Sequence, residues 1–190
     1  MSALPAEAAV RWTSADLELL PDNGARYEIV EGELFVSKQP HWHHQKTSGR
    51  IFAALDSWAV EAGHGDTSHD PGVIFDDEND VAPDVAWVSS ERLLVVLGED
   101  GKLHGAPDLA VEVLSPGSTN VQRDKKAKLK LYSQRGVREY WVADWRAKTI
   151  EIYRREVAEL KLAATLYAGD ELTSPLLPGF KVSVARLFPG

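Results

Sequence analysis

The chain contains no cysteine, and this absence excludes several kinds of chemistry. Without cysteine there is no disulfide framework, no thiolate metal site and no thiol nucleophile. The sequence also lacks any run that approaches the ~20 apolar residues needed to span a bilayer. Its first residues lack a basic region followed by an apolar stretch. These absences favour a soluble, cytoplasmic protein.

Positive charge is scarce as well. The 190 residues include 21 lysines and arginines against 29 aspartates and glutamates, which gives a formal net charge of −8. Because a protein that coats DNA with high affinity is normally basic, any contact with nucleic acid must be confined to a local patch. A chain of this length is expected to form one domain, over residues 1–190, with a substantial core.

The segment over residues 123–130 departs from this acidic average. It reads Arg-Asp-Lys-Lys-Ala-Lys-Leu-Lys, and Arg135 and Arg138 lie just beyond it. Such a charge run usually forms the solvated face of a helix, and the alternative is a surface that attracts phosphate. We favour the second interpretation, because the segment follows the strand predicted to contain Glu112.

Hydrophobic periodicity and turn residues predict an α+β (α/β) fold, in which helices flank a mixed β-sheet. The predicted helices cover residues 13–20, residues 43–62 and the basic segment as far as Gly136. The predicted strands cover residues 26–30, 33–37, 72–75, 84–88, 109–114, 139–143 and 149–153. The first two strands form an additional N-terminal hairpin across Glu31 and Gly32, and residues 160–188 supply additional short C-terminal strands.

Glu112 is the most informative residue, because it lies in the middle of the apolar run at 109–114. A strand of this composition is expected to be covered on both faces, and an ionised carboxylate there is costly unless it is compensated. Glu112 is therefore either a ligand or half of a buried pair. A second acid, Asp84, begins another β-rich run. Two such carboxylates on adjacent strand ends suit Mg²⁺ or Mn²⁺, which can activate water for phosphodiester hydrolysis.

A lysine beside such a metal can orient or deprotonate the attacking water and offset charge on the phosphate. Leu114 occupies the position two residues after Glu112, so the lysine must come from the next helix. The candidates there are Lys125, Lys126, Lys128 and Lys130. Lys128 shares a helix face with Asp124 and Tyr132, four residues to either side, so it is predicted to point inward. The alternative is an ordinary Asp124–Lys128 pair on the helix.

Several motifs along the chain carry a family resemblance. They are Ala-Arg-Tyr-Glu-Ile-Val-Glu-Gly-Glu-Leu at 25–34, His-Gln at 44–45, Ala-Pro-Asp-Val-Ala at 82–86, Ala-Pro-Asp-Leu at 106–109, Val-Glu-Val-Leu-Ser-Pro at 111–116, Asp124, Lys128, Tyr132 and Gly-Val-Arg-Glu-Tyr-Trp at 136–141. In this order they resemble the Uma-two family of predicted restriction endonucleases over about residues 13–188. That family is placed in the PD-(D/E)xK nuclease superfamily.

The resemblance implies a restriction-endonuclease-like fold and divalent-metal-dependent cleavage of DNA, with Mg²⁺ or Mn²⁺ as cofactor. By position, Asp84 matches the Pro-Asp acid and Glu112 the second acid, and both are implied to be metal ligands. Leu114 departs from the superfamily pattern at the lysine position. The resemblance implies that Lys128, displaced to the helix, serves as the third catalytic residue instead.

Other polar residues are weaker candidates. Glu28 and Glu33 on the predicted hairpin could reach the site as further acids, but we expect them to be exposed. The His-Trp-His-His cluster at 41–44 is a weak signal for zinc, because no second pair of ligands lies elsewhere. His44 shares a helix face with Ile51, so a core or capping role is expected, with substrate contact as the alternative. Ser115 could contact phosphate, although its segment is typical of a turn.

Two classes of function remain. The first is a metal-dependent endonuclease that uses Asp84, Glu112 and Lys128. The second is a catalytically silent nuclease-like domain that binds nucleic acid or protein. A metal-dependent enzyme acting on another phosphate or on a small-molecule substrate is a weaker third possibility. A homodimer is expected by analogy, because cutting both strands of a duplex needs two sites.

Overall fold

The computed structural model of the protein describes residues 10–115, 117 and 123–190. The helices are α1 (Ser14–Leu17), α2 (Trp42–Ala62), α3 (Ser90–Val96), α4 (Lys128–Arg135) and α5 (Val184–Leu187), and a π-helical turn, Arg123–Ala127, leads into α4. The strands are β1 (Arg26–Val30), β2 (Glu33–Ser37), β3 (Asp66–His69), β4 (Val73–Asp76), β5 (Asn79–Val81), β6 (Val85–Val88), β7 (Leu109–Val113), β8 (Glu139–Asp144), β9 (Thr149–Glu156), β10 (Glu159–Leu166), β11 (Glu171–Ser174) and β12 (Leu177–Ser183).

The central sheet has six strands in the order β10-β9-β8-β7-β6-β3. Strands β7 and β8 are parallel, whereas the other neighbours in this sheet are antiparallel. A parallel pair cannot be joined by a tight turn, so the chain must cross over between them, and α4 lies in that connection. The predicted mixed sheet with flanking helices is therefore confirmed.

A second sheet, in the order β2-β1-β5-β4, contains the predicted N-terminal hairpin. The hairpin turns at Glu31 and Gly32, which both have positive φ angles, of 52° and 74°. A two-residue turn of this kind matches the right-handed twist of the flanking strands. Strands β11 and β12 form a separate two-stranded sheet near the C-terminus, in agreement with the short strands predicted there.

The core lies on both faces of the central sheet, and β7 contributes to each. Leu109, Val111 and Val113 face one cluster, which includes residues of α2, while Ala110 and Leu114 face the other, which includes residues of α4. Because side chains alternate along a strand, Glu112 must point to the α4 side. The position of α4 in the crossover therefore places its side chains above Glu112.

The structure differs from the prediction mainly at short elements. Strands β3 and β5 and helix α3 were not predicted, and α1 ends at Leu17 rather than at residue 20. Strand β3 reads Asp-Thr-Ser-His, which carries no apolar alternation, and it forms through antiparallel pairing with β6. Asp84 lies just before β6 rather than inside it. None of the helices in the described ranges is long and apolar enough to cross a membrane.

Candidate active site

The structure brings together the two acids predicted from the sequence. The register of β6 and β7 pairs Val85 with Val111, so Asp84 stands opposite Glu112, one step further along. Side chains directly opposite each other in an antiparallel pair share one face of the sheet. The backbone N–H of Val113 donates a hydrogen bond of 2.7 Å to Asp84 Oδ2. Both acids line a cleft of about 400 Å³.

Asp84 is held by donors from three elements. Besides Val113 N–H, Arg26 Nη1 lies 3.0 Å from Oδ1, and His44 Nε2 lies 3.3 Å from Oδ2. Burial acts to raise the pKa of this carboxyl. The hydrogen bond and charge of His44, the charge of Arg26 and the Val113 N–H outweigh burial and bring the pKa well below its ordinary value. Asp84 is therefore a carboxylate that stays ionised although it is buried.

Glu112 is in contact with the helix above it. Lys128 Nζ donates to Glu112 Oε1 at 2.8 Å, and the Tyr132 hydroxyl donates to the same oxygen at 3.1 Å. Burial raises the pKa of Glu112 above its ordinary value, against the opposing effect of the Lys128 ammonium. Burial and the neighbouring acids also raise the pKa of Tyr132 well above its ordinary value, so its hydroxyl keeps its proton and remains a donor.

Lys128 is fully buried, with 0% of its side chain exposed, and its second ion pair is with Glu28 Oε1 at 2.7 Å. The prediction that Lys128 points inward is confirmed, and an ordinary Asp124–Lys128 helix pair does not account for these contacts. Asp124 and Tyr132 are buried on the same helix face, as predicted from their spacing of four residues. By contrast, Lys126 is exposed and Lys130 lies largely in solvent, where it pairs with Glu31.

The expectation that the two hairpin acids are exposed is wrong for Glu28 and confirmed for Glu33. Glu28 is buried because β1 lies inside its sheet, between β2 and β5. Its Oε1 accepts a hydrogen bond of 2.9 Å from Ala82 N–H, in addition to the Lys128 ion pair. The signal in the sequence was the apolar pair Ile29-Val30 directly after Glu28, which indicated a strand with little exposure.

The three histidines at 41–44 separate to different surroundings. His44 is buried, as expected for a core histidine, and faces Asp84. His41 is the residue that caps α2, because its Nδ1 accepts a hydrogen bond of 3.1 Å from His43 N–H. Among the described residues, no group of three or more His, Cys, Asp or Glu side chains has an arrangement that could hold a metal ion. Ser115 lines the same cleft as Asp84 and Glu112.

A model of the Uma2 family, which carries the description "Putative restriction endonuclease", matches residues 14–185. The chain belongs to the Uma2 family. It is also similar in structure to a protein from Anabaena variabilis, described as a putative nuclease belonging to DUF820. The two share 18% sequence identity and a TM-score of 0.73, over 93% of this chain and 97% of that one. At this identity the likeness shows the fold. No curated protein matches the chain.

Membership of the Uma2 family confirms the resemblance found in the sequence, and the shared fold confirms the predicted fold class. The matched range includes every residue of the candidate site described above. At the level of its family, this membership supports a nuclease.

Most described cations of the basic segment of this Uma2 protein are paired with acids, which weakens its interpretation as a phosphate-attracting surface; Lys126, which is exposed, is the exception among them. Among its described side chains, Lys125 pairs with Glu151, Lys130 with Glu31, Arg135 with Asp76 and Arg138 with Asp108. Lys128 is buried between two acids. Because a neighbouring carboxylate cancels most of the field of a cation at longer range, the segment offers little net positive charge to a phosphate.

A chain of hydrogen bonds beside the cleft was missed from the sequence. Ser48 Oγ lies 3.1 Å from His69 Nε2, and His69 Nδ1 lies 2.9 Å from Asp70 Oδ2. Asp70 Oδ1 in turn accepts from Arg26 Nη2 at 2.5 Å, and Arg26 reaches Asp84. The first three groups have the order of a Ser-His-Asp triad, but Ser48 is fully buried and cannot reach a substrate. This series of hydrogen bonds instead orients Arg26 against Asp84.

Replacing Asp70 by asparagine is expected to make the stability of the protein less dependent on pH between about 6 and 8. The hydrogen bond that His69 donates to Asp70 raises the pKa of His69 above its ordinary value of 6.5, against burial and the charge of Arg26. A raised folded-state pKa stabilises the fold fully below the unfolded value, and this stabilisation is lost as pH rises through the folded value. Urea denaturation of both proteins at several pH values measures the difference.

The difference in the free energy of unfolding between the wild type and Asp70→Asn should therefore be largest at the acidic end of that range. A constant difference remains at the alkaline end, because the Arg26–Asp70 ion pair is also lost. His69→Gln serves as the control, since it removes the titrating group and should likewise reduce the pH dependence of stability. A difference between wild type and Asp70→Asn that does not change with pH would contradict the prediction.

Proposed function

We propose that this protein is a divalent-metal-dependent endonuclease that hydrolyses DNA phosphodiester bonds, with Asp84 and Glu112 as the metal ligands. The observation that carries the proposal is the placement of these two buried carboxylates opposite each other at the end of β6 and β7, on one accessible cleft. Two buried carboxylates do not stabilise a fold by themselves, so their shared position at the cleft supports a role in binding.

The donor set fits a hard cation such as Mg²⁺ or Mn²⁺. Mg²⁺ is commonly held by one or two carboxylates, with water and substrate phosphate completing its shell. Asp84 is ionised, and Glu112 lies beside it. The absence of a third ligand among the described residues is compatible with such a site. When bound, the metal would polarise a phosphoryl oxygen and lower the pKa of a bound water.

The surrounding residues would keep the two ligands in position. Arg26 and the Val113 N–H hold the Asp84 carboxylate, while Lys128 and the Tyr132 hydroxyl hold Glu112 from the helix side. The amine of Lys128 is buried between two carboxylates and does not line the cleft. This geometry favours charge compensation and positioning of Glu112 over direct contact with the attacking water.

The burial of Lys128 is also the observation that favours the alternative function. A nuclease-like domain that has lost catalysis would need the lysine only to neutralise Glu28 and Glu112, which is what the contacts provide. Against this alternative, Asp84 stays ionised although it is buried, and it lines the same cleft as Glu112. A silent binding module would have no need for two buried carboxylates side by side at one cleft.

A plasmid-nicking assay tests the proposal. Wild-type protein is expected to relax supercoiled DNA in Mg²⁺ or Mn²⁺ and not in chelator, whereas Asp84→Asn should lose the activity by two orders of magnitude or more, as expected for loss of a metal ligand. The matched control is Glu99→Gln, which removes an exposed acid from the connection between β6 and β7 and should keep full activity. The wild type and both variants are also assayed for cleavage of RNA.

Thermal unfolding with the same metals separates the possible failures. Binding of Mg²⁺ or Mn²⁺ to the folded protein raises the melting temperature of wild type and Glu99→Gln but not of Asp84→Asn. A metal-dependent rise without cleavage of DNA or RNA would retain the metal site and reject the nuclease. A melting temperature that neither metal changes, together with no cleavage, would reject the whole proposal and favour the catalytically silent binding module.

A further inference from the structure

A group of aromatic rings lies where α2 begins and where β8 turns into β9. The rings of His41 and Trp145 are stacked, with their centroids 4.7 Å apart and their planes within 9°. His43 meets Trp145 edge-on at 5.2 Å, and the guanidinium of Arg146 lies 6.0 Å from the centre of the Trp145 ring. Trp42, between the two histidines in the chain, is 72% exposed. We call these five side chains the aromatic rim.

The aromatic rim lies next to the candidate active site through its neighbours in the chain, although none of its own five side chains lines the cleft. Pro40 and His44, which flank residues 41–43, both line the cleft. On the other side, the Leu114 N–H donates to the Ala143 carbonyl at 2.8 Å, which ties the end of β8 to the strand that carries Glu112. Trp145 follows Ala143 by two residues, so both parts of the rim lie at the end of the sheet where the acids are.

Trp42 contributes little to the fold that would explain its presence. Tryptophan brings a large apolar area, which stabilises a protein only when it is buried. None of the ring contacts among the described residues involves Trp42. Trp87 and Trp141, by contrast, are buried in the core. A large flat ring held in solvent at the start of a well-capped helix is an available surface for another flat ring.

We propose that the aromatic rim, with Trp42 as its exposed ring, is a stacking platform for unpaired bases of a nucleic-acid strand whose backbone enters the cleft. This inference rests on the proposed function and narrows it to single-stranded or locally unpaired substrates. Aromatic rings stack on bases of any sequence, but in a duplex both faces of each base are already covered by its neighbours. The cleft-lining Lys38 supplies positive charge for the backbone phosphates, whereas the charge of Arg146 is partly offset by its ion pair with Asp144.

Binding of a labelled oligonucleotide, measured by fluorescence anisotropy, tests this inference. The probes are a single strand of about 16 nucleotides, the upper end of the usual site size, and its duplex. Both are titrated with the full chain in chelator and in Ca²⁺. The variants are Trp42→Ala and Trp42→Phe. The matched control is Leu94→Ala, because Leu94 is 90% exposed on α3 and lies away from the cleft.

The wild type is expected to bind the single strand more tightly than the duplex. Trp42→Ala should weaken single-strand binding by about 5- to 100-fold, the range for loss of one base stack, and should change duplex binding far less. Trp42→Phe should restore most of the affinity, because it keeps an aromatic ring. Leu94→Ala should bind as wild type does, and equal melting temperatures would show that all variants are folded.

Several results would overturn the platform. The first is that the wild type does not bind the single strand in either condition. The second is that Trp42→Ala and Leu94→Ala bind the single strand with equal affinity. The third is that Trp42→Ala loses duplex binding and single-strand binding equally. A change in molar mass of Trp42→Ala in light scattering would assign Trp42 to self-association instead. Trp42-dependent binding without cleavage would reject the nuclease and retain the platform. Cleavage of single strands that Trp42→Ala leaves unchanged would retain the nuclease and reject the platform.

Discussion

Replacing Glu112 by glutamine is expected to reduce metal-dependent cleavage by about a thousandfold, because a bound metal contributes several kcal/mol to the reaction. Glutamine keeps the shape of the side chain but removes the charge that would hold the cation. The fold should survive the change, since Lys128 retains its ion pair with Glu28 at 2.7 Å. Initial rates of plasmid nicking in Mg²⁺, normalised to the folded fraction from circular dichroism, measure the effect.

Glu28→Gln is the matched control for this variant. It removes a buried carboxylate that contacts the same ammonium, but Glu28 does not line the cleft. If Glu112 acts as a metal ligand, Glu28→Gln should lose much less activity than Glu112→Gln. Equal losses would contradict metal ligation by Glu112 and would show instead that the charge balance around Lys128 controls activity.

Replacing Lys128 by methionine is expected to destabilise the protein by about 3–5 kcal/mol, the usual cost of breaking a buried ion pair by removing one partner. Methionine has a similar length and suits an apolar helix face, so the loss arises from the charge. It leaves Glu28 and Glu112, which are 1% and 2% exposed, without the ammonium that lies between them. The free energy of unfolding from urea titration at neutral pH measures this loss.

Lys126→Met provides the comparison on the same helical segment. Lys126 is exposed, and substitutions at such positions usually have little effect on stability. A double variant, Lys128→Met with Glu28→Gln, should recover part of the lost stability, because it removes one of the two stranded carboxylates. A loss for Lys128→Met no larger than that for Lys126→Met would show that the buried ion pairs are not important for stability.

The sequence alone predicted those parts of the site that depend on local periodicity. One acid inside an apolar run indicated a central strand covered on both faces, and β7 has this environment. The spacing of four residues from Asp124 to Lys128 and from Lys128 to Tyr132 indicated one inward helix face, which the structure confirms. These inferences succeeded because helices and strands repeat with fixed periods, so a short segment shows which side chains share a face.

Only the tertiary structure decided which groups meet across long distances in the chain. Arg26 and Asp84 are 58 residues apart, and Lys130 and Glu31 are 99 residues apart. The first contact orients a proposed metal ligand. The second belongs to the set of ion pairs that cancels the charge of the basic segment.

Glu28 shows the same limit, because its burial depends on the position of β1 between β2 and β5. The exposed position of Trp42 beside the cleft likewise depends on where α2 starts relative to the end of β8. The sequence by itself therefore determined the fold class, the family and the strand that contains Glu112. The partners of those acids, and the charge that the surface presents, were decided by sheet order and register. The physical reason is that sheet order and register arise from packing between distant segments, which no local pattern of residues records.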